Sequence, residues 1–216
     1  MRLIILDSQQ NITVTVDLSD DRRSLANFLS ILDPRCVETC EIRDLKESRL
    51  PRNIQRLSHL RQLTLVRCHA LESLPPELCK CSELRELGFM RCADFHDLRG
   101  IGKLGSLEVL HVSGCDSFDT LPEELSEMHA LKALDLSYSE GISWIDLAQL
   151  PKSLKLLDMH GCWRASFDPE QVGSLGLVSL QIQELSKLSD SDAVISDLET
   201  QLRHMMTMRD GCGLDA

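Results

Sequence analysis

Apolar residues recur along most of the chain with a period of 23 or 24 residues. Each period opens on an apolar anchor residue, and two more apolar residues follow it three and five positions later. The anchors are Val37, Leu60, Leu84, Leu107, Leu131, Leu154 and Leu177. Alternate residues of a strand face the same side, so positions three and five predict one short strand per period with one buried face. Seven such periods predict a repeat protein whose units stack to bury a common core.

The second part of each period carries the signals of a turn. Position eight after the anchor holds Leu45, Cys68, Cys92, Cys115, Ser139, Cys162 and Leu185. We expect the cysteines here to be buried, to fill the turn and to cap backbone groups along the stack. Leu-Pro pairs then open the segments 50–57, 74–81 and 121–128. Because proline suits the first position of a helix, these segments predict short helical turns or loops on the side opposite the strands.

Two of these periods match a known motif over their whole first half. LRQLTLVRCHAL at 60–71 and LEVLHVSGCDSF at 107–118 resemble the leucine-rich repeat motif L-x-x-L-x-L-x-x-N/C-x-x-L. The short repeats with cysteine at the turn are similar to those of plant immune receptors and other intracellular repeat proteins, over residues 37–188. The resemblance implies an α/β solenoid with a curved parallel sheet on its concave face. It also implies binding of a protein through the exposed residues of the strands.

The two ends of the chain predict caps that cover the first and last repeats. Residues 3–6 and 12–16 predict two strands at the N-terminus. A helix should follow them, with Leu25, Phe28, Leu29 and Leu32 on one face and its end at Pro34. Apolar residues at helical spacing predict another helix over 191–209. The chain then divides into an N-terminal cap at 1–36, a repeat solenoid at 37–188, and a C-terminal cap helix and tail at 189–216.

The charge of the chain narrows the choice of partner. There are 23 Lys and Arg residues against 34 Asp and Glu residues, which gives a formal net charge of −11. A surface of this sign is poorly suited to phosphate backbones or anionic lipid, so we expect neither nucleic acid nor a membrane as partner. No apolar segment predicts a signal peptide or a membrane span. We therefore expect an intracellular, cytoplasmic protein whose nine cysteines are free thiols.

The motifs that could indicate catalysis or metal binding are explained better by their positions in the repeat. GIGKLG at 100–105 matches a dinucleotide-binding pattern, but it precedes a predicted strand instead of following one. Cys81 falls at a core position and Cys79 at an exposed one, so the two should not converge on a metal ion. We expect no catalytic residue, no metal and no cofactor. A cysteine-dependent or nucleotide-dependent enzyme is the minor alternative.

The exposed strand positions are the candidate binding surface. The candidate partner-binding residues are Val66, Arg67, Met90, Arg91, His111, Asp135, Tyr138, Asp158, His160 and Trp163. Tyr, Trp, Met and Arg are enriched in protein interfaces. Arg67 and Arg91 share position seven of adjacent repeats, which predicts a local positive charge suited to carboxylates of a partner.

These residues predict a non-catalytic adaptor or recognition module that is monomeric on its own and binds a protein partner on its concave face. The alternative is a stoichiometric structural subunit or assembly factor of a larger complex. A subunit of that kind would also bury its caps and its convex surface.

Overall fold

The computed structural model describes residues 2–8, 11–19 and 24–182. The predicted C-terminal cap lies outside the described residues, as does the seventh repeat after Ile182. The boundaries of the three predicted parts of the chain stay predictions.

In the described part of the chain, nine strands form one sheet, in which each strand pairs with its neighbours in chain order. The strands are β1 Arg2–Ser8, β2 Asn11–Asp17, β3 Val37–Arg43, β4 Gln62–Val66, β5 Glu86–Met90, β6 Val109–Ser113, β7 Ala133–Asp135, β8 Leu156–Asp158 and β9 Ser179–Gln181. β1 and β2 are antiparallel, and every later pairing is parallel. The architecture is the predicted repeat solenoid, and the fold class is confirmed.

The register of the parallel strands follows the sequence columns without a shift from β3 to β9. At position three the residues opposite one another are Cys40, Leu63, Leu87, Leu110, Leu134, Leu157 and Leu180. A one-residue slip would turn every buried leucine outward, so the buried face fixes the register. Leu63, Leu87 and Leu110 are fully buried as a result.

β2 extends the sheet beyond the repeats found in the sequence. Val14 lies opposite Cys40 and Val16 opposite Ile42, and all four side chains are buried. From the sequence, this strand was expected only as one of the two strands of the N-terminal cap. It also serves as an eighth parallel strand that covers the open end of the first repeat. The single α-helix of the described chain, α1 at Leu25–Ile31, follows it and buries Leu25, Phe28 and Leu29.

Short 3-10 helices return the chain on the side opposite the strands, as the Leu-Pro segments predict. They span Arg52–Arg56, Pro76–Lys80, Ile101–Lys103, Glu123–Glu127, Leu147–Gln149 and Pro169–Ser174. Pro76 and Pro169 take the first helical position, whereas Pro51 and Pro122 stand one residue earlier. Each helix buries one apolar side chain, so the convex layer closes the core. None of the helices in the described part of the chain is long and apolar enough to cross a membrane.

The thiol and hydroxyl side chains at position eight cap the main chain of the preceding repeat, which confirms the structural role predicted for the cysteines. The thiols of Cys68, Cys92 and Cys115 donate to carbonyls of the previous repeat, with S···O distances of 3.6, 3.6 and 3.5 Å. The Ser139 hydroxyl makes the equivalent bond to the carbonyl of Val112 at 2.7 Å. Buried carbonyl groups at the strand ends thereby gain a partner without water.

A leucine in the middle of the stack tests the core. Leu134 is 1% exposed and lies between Leu110 and Leu157. Leu134→Ala should lower the free energy of unfolding by about 2–5 kcal/mol, because it leaves a cavity that repeats on both sides enclose. Lys103→Ala, at an exposed convex position, should change it by less than about 0.5 kcal/mol. Denaturant titration of both variants measures the difference, and equal stabilities would contradict the buried register.

The cysteines give a second test. Cys40, Cys68, Cys81, Cys92, Cys115 and Cys162 are buried and unpaired with another cysteine, and Cys36 and Cys79 are half-buried. Burial raises the pKa of the Cys40 thiol to about 12 and that of Cys81 to about 11, which disfavours the reactive thiolate. A thiol reagent should therefore leave the six buried thiols unmodified until denaturant is added. Disulfides in protein purified from a reducing cell would contradict the expectation of free thiols.

Candidate functional site

The solvent-facing side of the parallel sheet carries most of the predicted binding residues. We call this side the concave face and define it by positions two, four and six of each strand. Val66 and Met90 lie opposite each other where β4 and β5 end, and both are partly exposed. His111, Asp135 and Asp158 form one row across β6, β7 and β8. The structure thus brings these five predicted residues onto one surface.

Most of the remaining predicted residues line the edge of that face. Arg67, Arg91 and Tyr138 stand at position seven, and Trp163 stands at position nine with 44% of its surface exposed, whereas His160 at position six belongs to the concave face itself. The residues at positions seven and nine follow the carboxyl ends of the strands, so they border the concave face on one long side.

Position seven has a left-handed backbone in every repeat where it is described. The φ values are 58° for Asp44, 52° for Arg67, 55° for Arg91, 64° for Gly114, 58° for Tyr138 and 71° for Gly161. Glycine adopts this conformation freely, but residues with a Cβ atom are strained by roughly 1–2 kcal/mol. Two arginines and a tyrosine therefore occupy places where glycine would be more stable.

Tyr138 is held in a fixed orientation by the next repeat. Its hydroxyl lies 2.9 Å from Nε2 of His160, and the two rings meet edge to face with centroids 5.1 Å apart. The tyrosine ring also covers Gly161, where a Cβ atom would lie only 2.5 Å from Cδ1 of Tyr138. Tyr138 is 51% exposed in spite of these contacts. It presents a rigid aromatic surface to solvent, which is the kind of side chain that dominates binding energy at interfaces.

The two arginines behave differently from each other. Arg67 donates two hydrogen bonds to the carboxylate of Asp44, with N···O distances of 3.1 and 2.8 Å. These bonds raise the pKa of Arg67 and neutralise its charge locally. Arg91 makes no ion pair within residues 2–8, 11–19 and 24–182, and its Cγ lies 3.3 Å from the place of a Cβ atom on Gly114. Arg91 therefore carries the predicted positive charge, whereas Arg67 forms an ion pair with Asp44 of the preceding repeat.

A polar network joins the middle of the concave face. Nδ1 of His111 lies 3.0 Å from Oδ2 of Asp135, and its Nε2 lies 3.8 Å from Oε1 of Glu86. The hydrogen bond to Asp135 raises the pKa of His111. Burial opposes ionisation of Asp135, but its hydrogen bonds with His111 and Ser137 lower the pKa of that carboxyl. Both shifts favour a charged histidine paired with a charged aspartate.

The geometry offers little for catalysis. Both ring nitrogens of His111 face carboxylates, so a nucleophilic hydroxyl does not complete a triad there. The glycine-rich segment at 100–105 lies on the convex side, and its Gly100 amide donates to the carboxylate of Glu124 at 3.1 Å. A phosphate would have to displace that anion. Within the part of the chain that the structure describes, His, Cys, Asp and Glu side chains form no group of three or more that could hold a metal ion.

The structure adds exposed apolar residues that the sequence analysis did not include in the site. Position two carries Val109, Ala133 and Leu156 side by side on β6, β7 and β8. Leu156 is 47% exposed, and Val178 in the next repeat is 41% exposed. The sequence contains a signal for this residue, because the alternation of the strand turns position two outward. Leu156 stands at that position and is therefore a leucine outside the core. Trp144, 55% exposed in the turn of the fifth repeat, was also missed.

Comparisons with known proteins agree with this geometry. The family model described as "Leucine-rich repeat region" matches residues 20–205. The disease resistance-like protein DSC1 of Arabidopsis thaliana is 36% identical over 89 residues, which are 41% of this chain and 7% of that protein. The disease resistance protein RPS4B of the same species is 24% identical over 176 residues, which are 73% of this chain and 15% of that protein.

A solved structure shares the fold. The leucine-rich repeat domain of the type III effector XopL has a TM-score of 0.62 at 22% identity, over 81% of this chain and 60% of that chain. The chain spans only a small part of the curated relatives it matches, 7% of one and 15% of the other.

The His111–Asp135 pair predicts a pH dependence that can be measured on single residues. Because the pKa of His111 is raised, its stabilising contribution is complete below about pH 6.5 and is lost as the pH rises through the folded-state pKa. Because the pKa of Asp135 is lowered, its contribution is present above about pH 4 and is lost as the pH falls through the folded-state pKa. The pair should therefore stabilise the fold most between about pH 4 and 6.5.

NMR titration of the His111 ring gives the measurement. Asp135→Asn should move the midpoint to lower pH, because burial then acts on His111 without a charged partner. The exposed His129 supplies an internal reference whose curve the substitution should leave in place. An unchanged His111 midpoint in Asp135→Asn would rule out the ion pair.

Proposed function

The chain belongs to the leucine-rich repeat family, whose domains are protein–protein interaction modules, and we propose that it binds a protein partner through its concave face without catalysing a reaction. The observation that carries the proposal is Tyr138. Its ring is half-exposed, fixed by His160 and Gly161, and attached to a strained left-handed backbone. A rigid, exposed aromatic side chain loses little conformational entropy when a partner binds it.

The absence of catalysis is supported by the state of the candidate nucleophiles and bases. Burial raises the pKa of Cys162 to about 11, the opposite direction from the one that activates a thiol. The His111 ring is engaged by Asp135 and faces Glu86, so its nitrogens are occupied by carboxylates. Folds of this family are typically non-enzymatic, and these side chains fit that pattern.

The names of the similar proteins suggest the kind of process in which the chain acts. Two proteins that match this chain are named for disease resistance in Arabidopsis thaliana, so we assign the chain a recognition role of that kind. This favours the adaptor or recognition module over the embedded structural subunit. The cysteines, unpaired and mostly buried among the described residues, suit an intracellular and cytoplasmic location. The net charge of −11 favours a protein partner over nucleic acid.

Two substitutions on the edge of the concave face test this function. Arg91→Glu combined with Tyr138→Ala should weaken binding of the native partner by about 2 kcal/mol or more, because both side chains are exposed at one edge of the face. Arg67 is left unchanged, since its substitution would also break the ion pair with Asp44. Partners captured from native extract by the wild-type chain and by the double variant are quantified by mass spectrometry, with a melting curve for each protein.

The matched control lies on the opposite side of the solenoid. Lys103→Glu changes the charge of an exposed convex residue and should leave both stability and partner recovery as in the wild type. If the double variant recovers the same partners at the same stability, the edge formed by Arg91 and Tyr138 does not bind the partner, and the observation that carries the proposal fails. The embedded-subunit role, which uses the convex surface and caps, would then replace the recognition role.

A further inference from the structure

Exposed apolar side chains are concentrated in one part of the molecule. Six large apolar or aromatic residues are exposed in the described chain: Ile31, Tyr138, Trp144, Leu156, Trp163 and Val178. Five of them lie between residues 138 and 178, within the fifth to seventh repeats. Single exposed apolar residues are ordinary on protein surfaces, so what distinguishes this part of the molecule is that five of the six fall in three neighbouring repeats.

Leu156 is the apolar centre of that group on the concave face. It follows Val109 and Ala133 at position two, and Ser179 lies opposite it on β9. The first three repeats carry Thr39, Gln62 and Glu86 at the same position. The concave face therefore changes from polar to apolar at this position between β5 and β6.

Asp158 supplies an uncompensated negative charge beside Leu156. The two residues are two positions apart on β8, so both face outward about 7 Å from each other along the strand. One carboxylate oxygen of Asp158 accepts the backbone N–H of His160 at 2.9 Å. No Lys, Arg or His side chain of the described residues forms an ion pair with this carboxylate, whereas Asp135 in the same row is paired with His111.

An aromatic edge completes the surface next to Asp158. His160 is the next outward residue after Asp158, and its ring is bonded to the Tyr138 hydroxyl. The tyrosine face is electron-rich, so it adds a surface that attracts cations at the His160 end of the row. Ala133, Leu156, Asp158, Tyr138 and His160 together make a surface that we call the acid–leucine patch.

We infer that the acid–leucine patch binds an extended partner segment in which an apolar side chain is followed two residues later by a lysine or arginine. This inference rests on the proposed function and specifies the partner's chemistry. In an extended segment, side chains two residues apart are about 7 Å apart, which matches the separation of Leu156 and Asp158. The apolar side chain would cover Leu156, and the cation would meet Asp158 on the side of the patch that carries His160. The partner charge inferred here is positive, whereas Arg67 and Arg91 predict a partner with negatively charged carboxylates.

The probe is a phage-displayed library of random linear peptides, selected on the full chain. Selected sequences should share an apolar residue with Lys or Arg two positions later. Synthetic versions should lose affinity about tenfold or more on Asp158→Asn, since a hydrogen bond to a charged group is lost. Asparagine keeps the oxygen that accepts the His160 N–H, so the strand should stay intact. Leu156→Ser should weaken the same peptides, and selection on Asp158→Lys should yield Asp or Glu in place of the basic residue.

Glu127→Gln is the matched control, because it removes an acidic charge from an exposed convex position and should not change peptide affinity. A melting curve for each variant confirms that its fold is kept. If the library enriches no apolar–basic pattern, or if Asp158→Asn leaves the affinities unchanged, the inference is overturned. Peptides that depend on Arg91 but not on Asp158 would overturn it while leaving the concave-face function in place. Peptides indifferent to all concave variants would overturn both.

Discussion

The whole stack depends on the way the chain leaves each strand. At position seven the backbone becomes left-handed, and at position eight a buried thiol or hydroxyl donates to a carbonyl of the preceding repeat. The first step turns the chain out of the sheet, and the second satisfies a buried main-chain group that water does not reach. Because both steps recur in successive repeats, neighbouring strands end at the same level. The buried leucines fix the register from β3 to β9, and these two steps keep the ends of the strands aligned along one concave face.

The sequence predicts the inward half of the molecule well, because burial imposes a strict rule there. A residue at position three or five must be apolar, so the columns of leucine locate the strands and their register. The thiols of Cys68 and Cys92 were assigned correctly for the same reason, since a small buried side chain leaves few alternatives. The role of β2 was missed because Val14 and Val16 lie before the first complete repeat.

For the residues on the exposed side of the sheet, the sequence predicts their positions but not the contacts of their side chains. The columns put Arg67 and Arg91 side by side, yet the periodicity carries no information on which way a long side chain turns. Arg67 turns back to Asp44, a choice made by the position of one carboxylate in the preceding repeat. Leu156 stands at position two, whereas the residues predicted from the sequence stand at positions four, six, seven and nine. The two ends of the concave face therefore differ in chemistry. One end carries the ion pair of Arg67 with Asp44, and the other carries the exposed Leu156 beside Asp158, which forms no ion pair among the described residues.

Because Tyr138 packs on Gly161, the amino acid at position seven of this repeat limits which amino acids the next repeat can have at that position. A Cβ atom at 161 would lie 2.5 Å from the tyrosine ring, whereas a Cβ atom at 114 would lie 3.3 Å from Cγ of the flexible Arg91. Arg67 and Arg91 occupy position seven of adjacent repeats, so a long flexible side chain there does not exclude another one in the following repeat. A flat ring that lies across the next repeat, as that of Tyr138 does, requires a bare backbone there. Evolution or protein engineering would therefore have to change positions 138 and 161 together.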